Sequence, residues 1–223
     1  MRQRKVKNLE ERLKSHNRFF VEDARRLNGR WSRAFGNEND LYLEIGSGKG
    51  SFLIKQAGAH EYRNYIGVEG QLSVAFRALQ KLEPTGLANV RFACGYVDNP
   101  GEWFSECEVS GIYLNFSDPW PKKGHAHRRL THRNYLRQYQ KILKQDGFVE
   151  FKTDNAALFD FTVQEIEDTG LFAICEITSD LHNSGLDASQ ITSEYEEKFI
   201  AAGCRINYVR LVRSGNERVL HFQ

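Results

Sequence analysis

The chain has few of the features that mark whole classes of protein. Only 4 of its 223 residues are proline, and no apolar run approaches the roughly 18–20 residues that a membrane-crossing helix needs. Its first residues, MRQRKVKNLEERLK, lack the apolar core of a secretory leader, so no membrane association and a cytoplasmic location are expected. The 4 cysteines (Cys94, Cys107, Cys175 and Cys204) are widely separated, with no CxxC pair and no histidine at the spacing of a zinc co-ligand. Neither a disulfide framework nor a metal site is expected, and the cysteines read as buried thiols. Internal repeats, low-complexity tracts and dividing linkers are missing too. What remains, with 40% hydrophobic and 27% charged residues, is the composition of an ordinary globular chain with one core.

The net charge of +2 hides a segregation. Residues 1–33 hold 11 Lys/Arg against 4 Asp/Glu and residues 118–144 hold 8 against 1, so each stretch carries +7 and the remainder −12. Two basic stretches on an otherwise acidic chain suit a protein that gathers a polyanion locally. The division expected is a basic N-terminal arm and helix over residues 1–33, then a single domain over 34–223.

Short apolar runs alternate with helix-like segments. The runs LYLEI (41–45), NYIGVE (64–69), NVRFAC (89–94), GIYLNF (111–116) and GFVEFKT (147–153) read as buried strands. Segments such as QLSVAFRALQKL and NAALFDFTVQEIEDTG read as the helices between them. Near-continuous apolar strands joined by crossover helices indicate a doubly wound, mostly parallel α/β sheet covered on both faces. Two further runs, LFAICEIT (171–178) and CRINYVRLVR (204–213), are joined by a polar segment instead of an obvious crossover helix. The expectation is therefore seven strands, antiparallel at the last.

Ligands of such sheets sit outside the carboxyl ends of the strands. Acids stand at or just past the end of each of the first five runs: Glu44, Glu69, Asp98, Asp118 and Asp154. The first turn, Leu43-Glu44-Ile45-Gly46-Ser47-Gly48-Lys49-Gly50, places an acid and three alternate glycines between strand and helix. Glycine lets such a loop pass close beneath a ligand. A phosphate-binding P-loop is excluded, because Lys49 precedes Gly50 instead of Ser or Thr. The dinucleotide pattern fails as well, since Gly50 follows Gly48 by two residues instead of three.

An acid followed by GxGxG resembles the first motif of S-adenosylmethionine-dependent methyltransferases. That resemblance implies Glu69 as acceptor for the ribose hydroxyls and Asp98 as acceptor for the adenine amino group. After the fourth run comes FSDPWPKKGHAHRRL (116–130), in which two prolines flank Trp120 and stiffen the backbone that carries Asp118. Lys122, Lys123, Arg128 and Arg129 follow as candidate phosphate contacts, and Trp120 offers a ring on which a base can stack.

LEIGSGKG, the SDPWPKK…HRRL segment, FKTDN (151–155) and SEYEEKF (193–199) together resemble the bacterial tRNA (guanine-N7)-methyltransferases, in order and over nearly the whole chain. The resemblance implies a Rossmann-like class I methyltransferase fold, S-adenosyl-L-methionine as cofactor, and tRNA as partner, with guanosine 46 of the variable loop as target. It implies Glu44, Gly46, Gly48, Gly50, Glu69, Asp98 and Asp118 as the cofactor group, with Asp118 catalytic. Lys122, Asp154, Ser193 and Glu196 form the implied substrate group, with Arg128 and Arg129 on phosphate. Ser193 stands where the family usually has Thr, and Thr192 precedes it, which leaves two candidate hydroxyls. His127 stands where a basic residue is common. His60, His182 and His221 are assigned no role.

Three rivals differ in chemistry. SDPW is similar to the Asp/Asn-Pro-Pro-aromatic motif of enzymes that methylate exocyclic amines, but Trp120 occupies the second proline's place. A noncatalytic RNA-binding protein on the same fold would be expected to lose the glycine turn or the ribose acid. A dehydrogenase needs the glycine spacing that fails here. A monomer and a homodimer are equally compatible with the sequence.

Overall fold

The computed structural model describes residues 9–14 and 16–214. Arg2, Arg4, Lys5 and Lys7 of the basic arm, and His221, lie outside the described residues. One eight-stranded sheet runs in the order β1-β4-β3-β2-β5-β6-β8-β7. Seven of these strands are the expected apolar runs: β2 (Asp40–Ile45), β3 (Arg63–Glu69), β4 (Val90–Cys94), β5 (Val109–Asn115), β6 (Leu143–Thr153), β7 (Phe172–Thr178) and β8 (Asn207–Arg213). The eighth, β1 (Phe20–Val21), extends the sheet edge by pairing parallel with β4. Two residues are too short to show a period, which is why the sequence pattern misses it.

β8 is antiparallel to both β6 and β7, while the strands from β1 through β6 pair parallel. Strand side chains alternate between two layers. Leu41, Leu43 and Ile45 of β2 and Ile112 and Leu114 of β5 enter one core, together with Leu136 and Tyr139 of α5 (Arg133–Ile142) and Leu158 and Ile166 of α6 (Ala156–Thr169). Tyr42 and Tyr113 face the other layer, with Phe52 and Leu53 of α3 (Ser51–Ala59) and Phe76 and Leu79 of α4 (Leu72–Leu82). Both faces are covered, as a parallel sheet requires. Among the described residues no helix is long and apolar enough to cross a membrane.

The described part of the basic opening stretch, residues 9–14 and 16–33, contributes to both cores. Leu13 of α1 (Leu9–Lys14) and Phe19 beyond it enter the second core, and Trp31, at the start of α2 (Trp31–Phe35), enters the first with 1% of its surface exposed. Trp31 Nε1 donates to the Trp103 carbonyl at 2.9 Å, and its ring stacks on Phe104 at 5.4 Å. Leu13, Phe19 and Trp31 thus pack with the residues that follow the basic stretch. Cysteine burial is corrected too: Cys107 and Cys204 are exposed, Cys94 and Cys175 half-buried, and all four are free thiols.

Removing a fully packed indole leaves a cavity and an unpaired carbonyl, at a cost of about 3–5 kcal/mol. Trp31→Ala should lower the unfolding free energy in urea by that amount, through a lower midpoint at an unchanged slope. A change within about 0.5 kcal/mol would show that residue 31 lies outside the cooperative fold.

Candidate active site

Strand order reverses where β2 and β5 are neighbours, and there a cavity of about 790 Å³ opens at the carboxyl ends of the strands. Glu44, Glu69, Asp98 and Asp118 all line it. Asp154, the fifth expected acid, is exposed at the end of β6 and is not among the lining residues.

The glycine turn is built as its spacing implies. Gly46, Gly48 and Gly50 have φ of 80°, 55° and 72°, in the left-handed region that side chains with a Cβ rarely adopt. At Gly50 sterics add a second demand, because a Cβ would meet the Phe92 ring at 2.4 Å. Glu69 braces the turn from β3: its carboxylate accepts from Gly48 N at 3.0 Å and from Gln71 N at 2.9 Å. Each of its oxygens keeps a lone pair for hydroxyl donors.

Glu44 is 2% exposed. The pairing of β2 with β5 sets Asn115 beside it, and Asn115 Nδ2 donates to Glu44 Oε1 at 2.8 Å. Oε2 is buried with no partner. Burial pushes the Glu44 pKa up to about 8, against the Asn115 hydrogen bond and the Lys152 charge, and nearby Glu69 adds to the rise. A buried carboxyl with an orphaned oxygen facing a cavity is a seat for a cationic or strongly donating group.

On the opposite wall Asp118 is exposed on the lip and has no hydrogen-bond partner among the described residues. Its backbone is anything but free. Phe116 and Trp120, two residues to either side, have φ of 53° and 41°. Such non-glycine residues cost about 1–3 kcal/mol each, and their concentration around one acid is what functional sites show. Phe116 is held by stacking on Phe199 at 5.5 Å and by its N–H, which donates to the Lys152 carbonyl at 2.9 Å. Arg128 lies at the cavity with its guanidinium 4.9 Å from the centre of the Trp120 ring. Arg129, expected on phosphate, turns inward and donates to the carbonyls of Pro119 and Trp120. Lys122 is exposed and outside the cavity lining.

The remaining wall comes from α7 (Glu194–Ala201), and it departs most from expectation. Glu196, expected in the substrate group, is fully buried: it accepts from Lys152 Nζ at 3.1 and 3.3 Å and lies 3.0 Å from His182 Nε2. It also closes a capping box with Ser193, whose hydroxyl accepts from Glu196 N at 3.1 Å. Both carboxylate oxygens are engaged away from the cavity. His182, given no role from sequence, is thus a partner of this buried acid. Of the two candidate hydroxyls, Ser193 lines the cavity, whereas Thr192 Oγ1 is bonded to Lys55 and Glu197. Glu194 pins the helix start to the glycine turn through Lys49 at 3.1 Å, Ser51 at 3.1 Å and Lys81. Burial alone would raise its pKa, but the hydrogen bonds from Lys81, Lys49 and Ser51 prevail and hold it at about 2.

Sequence inspection passed over Asn115, Lys152 and Glu194. Only Lys152 carried a signal, a lysine inside a run expected to be a buried strand. Its ammonium is 1% exposed and also binds the carbonyls of Ala188 at 2.6 Å and Ile191 at 3.2 Å.

The raised Glu44 pKa makes stability depend on pH. Between about 4.5 and 8 the folded chain keeps a proton that the unfolded chain gives up, so this contribution is full below the window and lost as pH rises through it. Across that window the ligand-free protein should lose a few kcal/mol relative to Glu44→Gln. Denaturant melts of both at pH 5 and 8.5 check this, and parallel pH profiles would count against it.

The comparisons with known proteins agree with this geometry. A family profile described as "Putative methyltransferase" matches residues 38–208. Among solved structures, an antibiotic-related methyltransferase superposes with a TM-score of 0.63 at 19% identity, covering 88% of this chain and 96% of the other. A 30S ribosomal A1408 methyltransferase from an uncultured bacterium superposes with a TM-score of 0.53 at 13% identity, covering 94% and 95%. These likenesses establish the fold alone. Closer in sequence are proteins named tRNA (guanine-N(7)-)-methyltransferase: from Geobacillus kaustophilus, 41% identical over 91% of this chain and 93% of the relative, and from Enterococcus faecalis, 42% identical over 92% and 95%. A third, from Clostridioides difficile, is 39% identical over 92% and 96%. With 39–42% identity sustained over 91–92% of its length, the chain belongs to the tRNA (guanine-N7)-methyltransferase family.

Proposed function

We propose that this chain methylates N7 of guanosine 46 in the variable loop of tRNA. The methyl donor is S-adenosyl-L-methionine, which supplies an electrophilic methyl group on a sulfonium. The observation that carries the proposal is the convergence of Glu44, Glu69, Asp98 and the rigid Asp118 on one cavity beside the glycine turn.

The residues present fit the donor. The unpartnered Oε2 of Glu44 suits a cationic or strongly donating end, the free lone pairs of Glu69 suit ribose hydroxyls, and the exposed Asp98 suits an amino group. Guanine N7 has an in-plane lone pair and no proton, so the protein has no base to supply for attack. Its task is alignment, where orientation alone can contribute roughly 7–11 kcal/mol. As the bond to N7 forms and the sulfur–methyl bond breaks, positive charge would pass from the sulfonium, which leaves as a neutral thioether, to the purine, and Asp118 at the cavity would stabilise it. Asp154, exposed after β6, would accept from guanine N1–H and N2–H2. Ser193 presents its hydroxyl from the third wall, and Glu196 acts from beneath by fixing that turn. Arg128 and Lys122, with the basic residues of the N-terminal arm, would contact backbone phosphates.

Incubation of unmodified tRNA with labelled S-adenosylmethionine, followed by borohydride and aniline, tests the product. Scission at one variable-loop position is expected; label incorporated without scission would move the methyl to another atom. Asp118→Ala should lower the single-turnover rate roughly 100-fold or more while leaving the melting curve unchanged. A near-normal rate would remove Asp118 from the mechanism. tRNA affinity should fall log-linearly with salt, by roughly 0.7–0.9 per phosphate neutralised, and a flat response would remove the basic clamp.

A further inference from the structure

Arg128 and Arg129 are neighbours in sequence, yet one meets the ring of Trp120 and the other the backbone carbonyls of the Asp118 turn. Arg128 is exposed at the cavity mouth. Arg129 is half-buried: Nε donates to the Pro119 carbonyl at 3.0 Å, Nη2 donates to the Trp120 carbonyl at 3.1 Å, and the guanidinium lies 4.2 Å from the centre of the Phe161 ring. Phe161 belongs to α6 and packs against the main core. The turn needs outside support, because Pro119 and Pro121 have no N–H and Trp120 is held at φ 41°. A planar fork can serve two successive carbonyls at once, whereas a lysine ammonium is a point donor.

We propose that Arg129 is a positioning residue for methyl transfer: it ties the strained 118–120 turn to α6 and so fixes Asp118 over the cavity, and it makes no phosphate contact. The inference rests on the role proposed for Asp118. It divides the basic run into an arginine that meets RNA and an arginine that holds the reacting centre.

The test uses the full chain, unmodified tRNA and saturating S-adenosylmethionine. A phosphate contact tolerates lysine; a two-carbonyl fork does not. Arg129→Lys and Arg129→Ala should each lower the single-turnover rate roughly 10- to 100-fold, as expected of a small misplacement. Both should leave tRNA affinity within about twofold and the salt slope unaltered. Arg128→Ala should instead weaken tRNA binding and reduce the slope by roughly 0.7–0.9. A full rate in Arg129→Lys, or a lowered salt slope in Arg129→Ala, would overturn the proposal. If Arg129→Ala does not fold, Phe161→Leu removes the ring beneath the guanidinium without touching the turn. A smaller loss of rate at constant tRNA affinity is then expected, and unchanged rates in both Phe161→Leu and Arg129→Lys would overturn the proposal. Failure of the Asp118 role has a separate signature, a near-normal rate in Asp118→Ala.

Discussion

Every wall of the cavity depends on the pairing of β2 with β5. Because the sheet winds outward in both directions from that pair, no crossover helix covers the ends of these two strands, and a crevice is left between the connections. The same pairing sets Asn115 against Glu44, places the glycine turn opposite the Asp118 turn, and lets α3 and α5 flank the opening from opposite layers.

The site concentrates negative charge in a partly dry volume, which is unfavourable without compensation. The protein answers differently at each acid. Glu69 is satisfied by two backbone N–H groups, Glu44 is left half-satisfied and raised in pKa, and Asp98 and Asp118 stay in contact with solvent. Lys152 is the single buried cation among these acids within the described residues. It faces Glu196 and two carbonyls of the 188–196 segment, so a wall made largely of loop and one short helix is held from inside the sheet. A buried pair of this kind is poor evidence for net stability. Its geometry instead specifies one arrangement of the helix that carries Ser193 and Tyr195 to the cavity.

Rigidity is placed where alignment matters. Two non-glycine residues in the left-handed region, two prolines, an aromatic stack on α7 and an arginine fork from the α6 side all act on residues 116–121, around Asp118. A reaction whose nucleophile arrives unprotonated asks little of acid–base chemistry and much of geometry. The strain in this turn is consistent with that demand.

Most of the fold was legible because it rests on local pattern. Five near-continuous apolar runs with helices between them can form little else than a doubly wound sheet, and the glycine spacing excluded the phosphate and dinucleotide turns by sterics alone. Glu44, Glu69, Asp98 and Asp118 were legible as a rim because a strand's end is a sequence position. What a side chain does there was not. Glu196 and Arg129 both lie in motifs that suggest contact with RNA, yet one is buried against Lys152 and the other holds two carbonyls. Their partners lie 44 and about 10 residues away, and side-chain direction is set by packing between elements that only the folded chain brings together. The sequence alone thus determined the sheet, the turn and the chemistry of the rim. Tertiary structure decided which charges face the cavity and which are spent holding it open, because that choice depends on burial, and burial is a property of the assembled layers.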